Sequence, residues 1–378
     1  MHVAFVSPFD ATDGRSWSGI PLRMHRALAA HVERVSVVSP LSLGPTVSRA
    51  TLRAVGARLR GQPHYRHHTE AAAEAMAAQA AAAIARLRPD VVLSPSSLPL
   101  ARLKTNVPLA FWTDLTFESA LYFYDGYAAL PEGAIAEGLR LDAEAIRRSH
   151  AFYASDFAAR SAVGYSGADP DRVRVVPFGA NLDAVPTEAD VHAAIDARAT
   201  DACHLLFIGV EWYRKGGDVA VQVADALNAA GVPTTLTVVG CAPVLDRPRP
   251  YVYARGFLSK ATAEGRVELE RLLATSHLLV MPVRAEAFGC VFCEASAYGM
   301  PSVATTSGGS GSAVTDGENG LLFGPRPSAA EIAERVAALV RNRAAYRALA
   351  RSARATFDAR LSWHAATGVV AARLGRVA

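Results

Sequence analysis

Short apolar runs ending in small or polar residues alternate along the chain with longer stretches of helical periodicity, and this alternation restricts the fold more than any other feature. A run without polar alternation suits burial on both faces, so the pattern describes a parallel sheet covered by helices on both sides. Strands are expected at residues 3–7, 35–38, 91–94, 108–112, 151–155 and 173–176, with helices between them. The pattern pauses over residues 181–202, where Pro186 among small and acidic residues predicts a connector. It restarts with strands at 205–209, 235–239, 251–254, 278–282 and 302–305. In the helix opening near Gly217, the residues Val219, Val223, Ala226 and Leu227 fall on one face and Gly231 closes it. The Ala-rich stretch 71–85 reads as a good helix, and the chain beyond Pro327 as helical to its end. A chain of 378 residues outgrows a single core, so two doubly wound α/β domains in series are expected.

Hydrophobic residues make up 51% and charged residues 20%, which suits a folded chain and leaves no room for extended disorder. The formal net charge of +4 is too small to argue for a nucleic-acid partner, and none is expected. Its distribution is uneven. Residues 34–69 hold no Asp or Glu, while Arg34, Arg49, Arg53, Arg58, Arg60 and Arg66 fall there with His64, His67 and His68. That stretch reads as a solvated basic face or, over residues 49–68, as a weak contact for an anionic membrane surface or a phosphorylated acceptor. No run of about 18 apolar residues occurs, and the strand-like start His2-Val3-Ala4-Phe5-Val6 lacks the features of a signal peptide. A cytoplasmic protein, at most peripheral at the inner membrane surface, is the expectation. Cys203, Cys241, Cys290 and Cys293 lie mostly in apolar runs, as buried thiols in a reducing compartment do. Cys290 and Cys293 form a Cys-x-x-Cys, but no second pair stands at metal-ligand spacing, so thiols and no metal site are expected.

The most specific segment runs from Pro282 through Glu286-Ala287-Phe288-Gly289-Cys290-Val291-Phe292-Cys293 to Glu294-Ala295. A strand ends near Pro282, a turn containing Gly289 follows, and a helix begins near Cys290. Such a strand-to-helix turn aims backbone N–H groups and a positive helix end at the edge where open α/β sheets bind phosphates. Two carboxylates beside a phosphate site are electrostatically unhelpful unless they accept hydrogen bonds, and sugar and ribose hydroxyls are suitable donors. Taken alone, the pair reads better as a surface Glu plus a helix-capping Glu.

The pair is not alone. Two glutamates separated by seven residues, with Gly299-Met300-Pro301, Gly308-Gly309 and Asp316-Gly317-Glu318-Asn319-Gly320 downstream, resemble the signature of glycosyltransferase family 4. The stretch Phe207-Ile208-Gly209-Val210-Glu211-Trp212-Tyr213-Arg214-Lys215-Gly216-Gly217 is similar to that family's phosphate loop, with Val210 where many members carry an arginine. Ser16-Trp17-Ser18-Gly19-Ile20-Pro21 resembles its first-domain glycine loop, and Asp114 stands where many members have a histidine.

The resemblance implies the GT-B fold, two facing Rossmann-like doubly wound domains with an interdomain cleft. An acceptor-side domain over 1–185, a donor domain over 186–360 and a last helix over 361–378 that packs back on the first are expected. It implies a retaining hexosyltransferase that uses a nucleotide-sugar as substrate, with no cofactor and no metal, acting on a sugar, lipid-linked or small-molecule acceptor. The catalytic group would be Glu286, Lys215, Arg214 and Asp114, with Asp114 either contacting sugar or acceptor or capping the next helix. Donor contacts would come from Gly19, Gly209, Gly240, Phe257, Leu258, Phe288, Gly289, Cys290, Val291 and Glu294. A sugar-nucleotide-binding protein without transferase activity and an epimerase on the same scaffold remain as alternatives. An oxidoreductase ranks last, because no Gly-x-Gly-x-x-Gly follows the first strand.

Overall fold

A computed structural model describes residues 1–43 and 68–378. The basic stretch read at 34–69 therefore falls for the most part, and the membrane-contact residues 49–68 except His68, outside the described residues. The chain divides into two compact units, Met1–Pro177 with Ala366–Ala378, and Phe178–Ala365. The divisions fall at Pro177 and Ala365, where 185 and 360 were expected.

Among the described residues, the first unit holds β1 (His2–Val6), β2 (Arg34–Val38), β3 (Val91–Ser94), β4 (Leu109–Thr113), β5 (His150–Tyr153) and β6 (Val173–Val175). They form one sheet in the order β2-β1-β3-β4-β5-β6, every pairing parallel. The second unit holds β7 (Cys203–Ile208), β8 (Thr234–Val239), β9 (Val252–Gly256), β10 (Leu278–Met281), β11 (Ser302–Thr305) and β12 (Gly320–Phe323). Their order is β12-β11-β10-β7-β8-β9, again parallel throughout. The continuous apolar runs sit where theory puts them: every residue of β1, β3, β10 and β11 is buried, because helices cover both faces of a parallel sheet. The more polar β2 and β9 lie at the edges, where the water-facing residues of each cost little.

Every strand expected from sequence is present within two residues of its predicted bounds. The unforeseen strand is β12, hidden because Asp316-Gly317-Glu318-Asn319-Gly320 reads as a turn. Gly320 nevertheless opens β12, since a Cβ there would lie 2.0 Å from the Ser302 carbonyl oxygen of β11. The connector expected over 181–202 is a correction. It contains a helix, Glu188–Ala197, whose cap Thr187 accepts the Asp190 N–H. Val191 and Ile195 of that helix pack on Tyr346 and Ala350, which makes it part of the second core. The Ala-rich stretch is the helix Glu70–Leu87, capped by Thr69, and the helix read near Gly217 runs Gly217–Ala229, with Gly231 at φ +74 just beyond it. After Pro327 come the helices Ala329–Arg341, Arg343–Thr356 and Trp363–Leu374, the latter two joined by a π-helical turn at Phe357–Leu361.

Candidate functional site

In the second sheet the chain leaves β7 toward β8 and β9, then returns to the other side of β7 through β10, β11 and β12. The loops after β7 and β10 therefore part in opposite directions, and the crevice at their carboxyl ends is where sheets of this kind bind ligands. Two glycines let the loops close on each other. Gly216 has φ +79 and caps the helix Gly217–Ala229, and a Cβ on it would lie 2.2 Å from the Pro282 carbonyl oxygen at the end of β10. Gly240, φ +100, would bring a Cβ to 2.7 Å from the Gly209 carbonyl oxygen, so the end of β8 approaches that of β7 because Gly240 carries no side chain.

The same two loops carry the predicted charges. The Lys215 ammonium donates to the Glu286 carboxylate, and both side chains are buried, 13% and 8% exposed. The backbone stitches them as well: Arg284 N–H donates to the Arg214 carbonyl at 2.8 Å, and Arg214 Nη1 donates to the Ala285 carbonyl at 2.8 Å. Arg214 also gives its fork to both carboxylate oxygens of Glu211, at 2.7 and 2.8 Å. Those bonds hold the Glu211 carboxyl below the usual carboxylate range, against its partial burial. Lys215 thus faces the crevice carboxylate, while Arg214 braces the loop.

The turn after β10 is shaped by Gly289 at φ +92, the cap of the helix Cys290–Ala297. A Cβ there would meet the Phe292 ring at 2.7 Å and the Glu286 Cγ at 3.3 Å, so the glycine lets Glu286 lie against the turn. No side chain caps this helix start, and its positive end faces the crevice. Glu294, one turn into the helix and 4% exposed, accepts from Lys260 Nζ at 2.5 Å. Lys260 donates also to the Asn181 carbonyl at 3.2 Å, and Asn181 Oδ1 accepts from Trp363 Nε1 at 2.9 Å. Lys260 was not foreseen. Its only signal in the sequence is its place in the loop after β9, two residues beyond Leu258.

The remaining predicted residues divide by unit. Gly209, Gly240, Phe288, Gly289, Cys290 and Val291 cluster at the second unit's crevice, with Phe257 and Leu258 just beyond β9. Phe257 is 73% exposed. The Phe288 ring is buried edge-on against Phe178 (5.6 Å), so only its backbone can meet a ligand. Cys293 is buried and donates to the Phe178 carbonyl at 3.4 Å, and burial pushes its thiol pKa up; Cys290 is half-buried. Among the described residues, no group of three or more His, Cys, Asp or Glu side chains is placed to hold a metal ion.

Gly19 and Asp114 belong to the first unit. Gly19, φ +81, caps the helix Ile20–Leu28 and follows Trp17 and Ser18, whose φ angles of 42° and 56° are also left-handed. The two non-glycine residues store strain in a loop that leaves β1 beside its switch to β3. Asp114 is half-buried just past β4. The cap of the following helix Phe117–Phe123 is Thr116, which accepts the Ser119 N–H at 3.0 Å, so the capping alternative for Asp114 is overturned. Buried Asp142 holds this edge together: it accepts from Phe117 N–H at 2.7 Å and from the Ser97 hydroxyl at 2.5 Å, joining the loops after β3 and β4. Burial raises its carboxyl pKa.

Residues 202–342 match the family described as Glycosyl transferases group 1, and this stretch contains the whole Lys215, Glu286, Gly289 and Glu294 constellation. Over that stretch the chain is similar to the group 1 glycosyltransferases, and its fold is of the GT-B type. It is 31% identical over 175 residues to the D-inositol 3-phosphate glycosyltransferase of Paenarthrobacter aurescens, covering 44% of this chain and 43% of that one. A glycogen synthase of Mycobacterium tuberculosis is also 31% identical, over 167 residues, 43% of this chain and 40% of its own. The chain spans less than half the length of either curated relative. Among solved structures, sucrose-phosphate synthase of Thermosynechococcus elongatus superposes over 100% of this chain and 98% of its own, with a TM-score of 0.68 and 18% identity. Anabaena HepE, solved with UDP-glucose, gives a TM-score of 0.60 at 17% identity over 100% of both chains. These likenesses show the fold, which in this chain consists of two Rossmann-like domains, each with a six-stranded parallel sheet.

Proposed function

We propose that this chain is a retaining, metal-independent glycosyltransferase that moves a hexose from a nucleotide-sugar to an acceptor hydroxyl. The observation that carries the reading is the buried Lys215–Glu286 pair at the switch point of the second sheet, beside the uncapped helix start at Gly289. A diphosphate entering the crevice meets an ammonium and a positive helix end, the two groups suited to stabilise charge growing on a leaving group. Lys215 then turns from the Glu286 carboxylate to phosphate oxygens, and Glu286 accepts hydrogen bonds from sugar hydroxyls. Glu294, steadied by Lys260, accepts from the ribose. Asp114, just past β4, is assigned to the acceptor or sugar, and Arg214 acts through the loop it braces. With the leaving group stabilised in this way, the departing phosphate takes the acceptor's proton and no enzymic base is required. The UDP-glucose bound to Anabaena HepE and the glycogen synthase among the relatives favour a hexose donor. A reducing cytoplasm suits the free thiols, and among the described residues no helix is long and apolar enough to cross a membrane.

A thermal-shift screen of UDP-, GDP-, ADP- and dTDP-sugars, followed by NMR of the product, tests the reading. One donor should raise the melting temperature and be slowly hydrolysed, its sugar should be released or transferred with the donor's anomeric configuration, and a chelator should leave the rate unchanged. Stabilisation without hydrolysis would mark a binding protein, conversion to another nucleotide-sugar an epimerase, and inverted product would remove the retaining assignment.

A further inference from the structure

A second group of cations stands at the opposite edge of the first sheet, where β4 and β5 begin. There a cavity of about 390 Å³ opens, within the range of small-molecule sites. Its polar lining is Thr105, Arg148, His150 and Arg172, its apolar wall includes Leu109 and Val377, and none of its lining residues is acidic. We propose that this cavity binds a small phosphate-bearing anion, either inorganic phosphate or the phosphate group of a monoester.

The cationic groups are built in to different degrees. Arg148 ends the helix Glu132–Arg148 and is fixed by its bonds to the carbonyls of Leu103 (2.7 Å) and Ala101 (3.5 Å), which use two of five guanidinium donors. Arg172 makes only a loose pair with Asp169, at 3.9 Å between two half-exposed side chains, which a dianion can outcompete. His150 opens β5, and its Nδ1 is buried with no hydrogen-bond partner; the neighbouring Ser149 hydroxyl is buried and unpartnered too. A buried polar atom left unpaired is costly, and an oxyanion in the cavity would accept from a protonated His150. Arg174 of β6 and Arg373 of the last helix add positive potential at His150, with Asp169 opposing them. Burial first, then Arg172, Arg373 and Arg174, lower the pKa of the His150 ring, so an anion held by the protonated ring is bound with uptake of a proton. Nothing in the proposed transfer reaction uses these residues.

Calorimetry on the full chain with inorganic phosphate, run in two buffers of different ionisation enthalpy near neutral pH, is the test, repeated with glucose 6-phosphate. Wild type should bind phosphate with proton uptake. Arg172→Ser should weaken binding at least tenfold, His150→Gln should abolish the proton uptake, and Lys215→Ala, which disables the donor crevice, should bind as wild type does. Glucose 6-phosphate binding tenfold tighter than phosphate identifies a monoester as the ligand, and equal affinity identifies the free ion. The proposal is overturned if chloride at equal ionic strength reproduces the signal, if Lys215→Ala loses binding that Arg172→Ser keeps, or if proton uptake persists in His150→Gln.

Discussion

Glu286 and Glu294 are 6% and 4% exposed, and each spends its charge on one lysine. Removing one partner of such a pair leaves a buried charge uncompensated, a cost of about 3 kcal/mol or more. Lys215→Ala should therefore lower stability by about that amount in a denaturant melt and weaken nucleoside diphosphate binding at least tenfold. Glu286→Gln keeps a hydrogen-bond acceptor for Lys215 but removes the compensating charge, so it should also lower stability, by less than Lys215→Ala, bind the diphosphate as tightly as wild type or more so, and lose turnover. Equal loss of diphosphate affinity in both variants would contradict the division of roles. Lys215, Glu286 and Glu294 were picked out because the contiguous motifs that hold them resemble glycosyltransferase family 4, whereas spacing alone favoured a surface and a capping glutamate. Lys260 was not legible, because its contact with Glu294 joins residues 34 positions apart and exists only after the β9 loop folds over the helix. Arg214 was legible as a cation, but its commitment to Glu211 was not, since the fork geometry depends on how the loop bends.

At the scale of elements, β7 and β10 must be held side by side for the crevice to exist. His277, just before β10, does part of this at the amino ends. Its Nδ1 accepts the His204 N–H of β7 at 3.0 Å and its Nε2 pairs with the Ala199 carbonyl at 2.9 Å, an arrangement that requires the neutral ring. Burial lowers its pKa to about 4. A depressed folded-state pKa contributes stability that is full above the unfolded value of about 6.5 and is lost as pH falls through the folded value. Wild-type stability should therefore decline from pH 6.5 to 4, and His277→Gln should flatten that decline; an unchanged slope would remove His277 from the account. At the other end, Gly216→Ala should cost about 1–3 kcal/mol for its left-handed φ alone, and more for the approach to Pro282, with melting temperature as the readout. The periodicity that revealed the strands failed at two elements for identifiable reasons. The turn-forming residues before β12 masked a strand whose first residue is a glycine under β11, and Pro186 with its acidic neighbours masked the helix Glu188–Ala197, which is held by a Thr cap and two apolar contacts.

On the scale of the whole molecule, the two sheets are wound differently. The first reverses beside β1 and β3, the second beside β7 and β10, and at each reversal a glycine-containing loop leaves the carboxyl edge. Doubly wound parallel sheets follow from continuous apolar runs alternating with helices, which is why the fold class could be read from the chain. The segment after Pro177 belongs to the second unit, where Phe178 stacks on Trp363. The account's central claim is that the second reversal is a donor site in which Glu286 acts on the sugar. The most direct measurement is the rate of nucleoside diphosphate release from the donor that stabilises the protein, compared between wild type and Glu286→Ala at saturating donor. A fall of at least about 100-fold, with thermal unfolding still cooperative and diphosphate still bound, is the predicted result. Release at near wild-type rate in Glu286→Ala would contradict it.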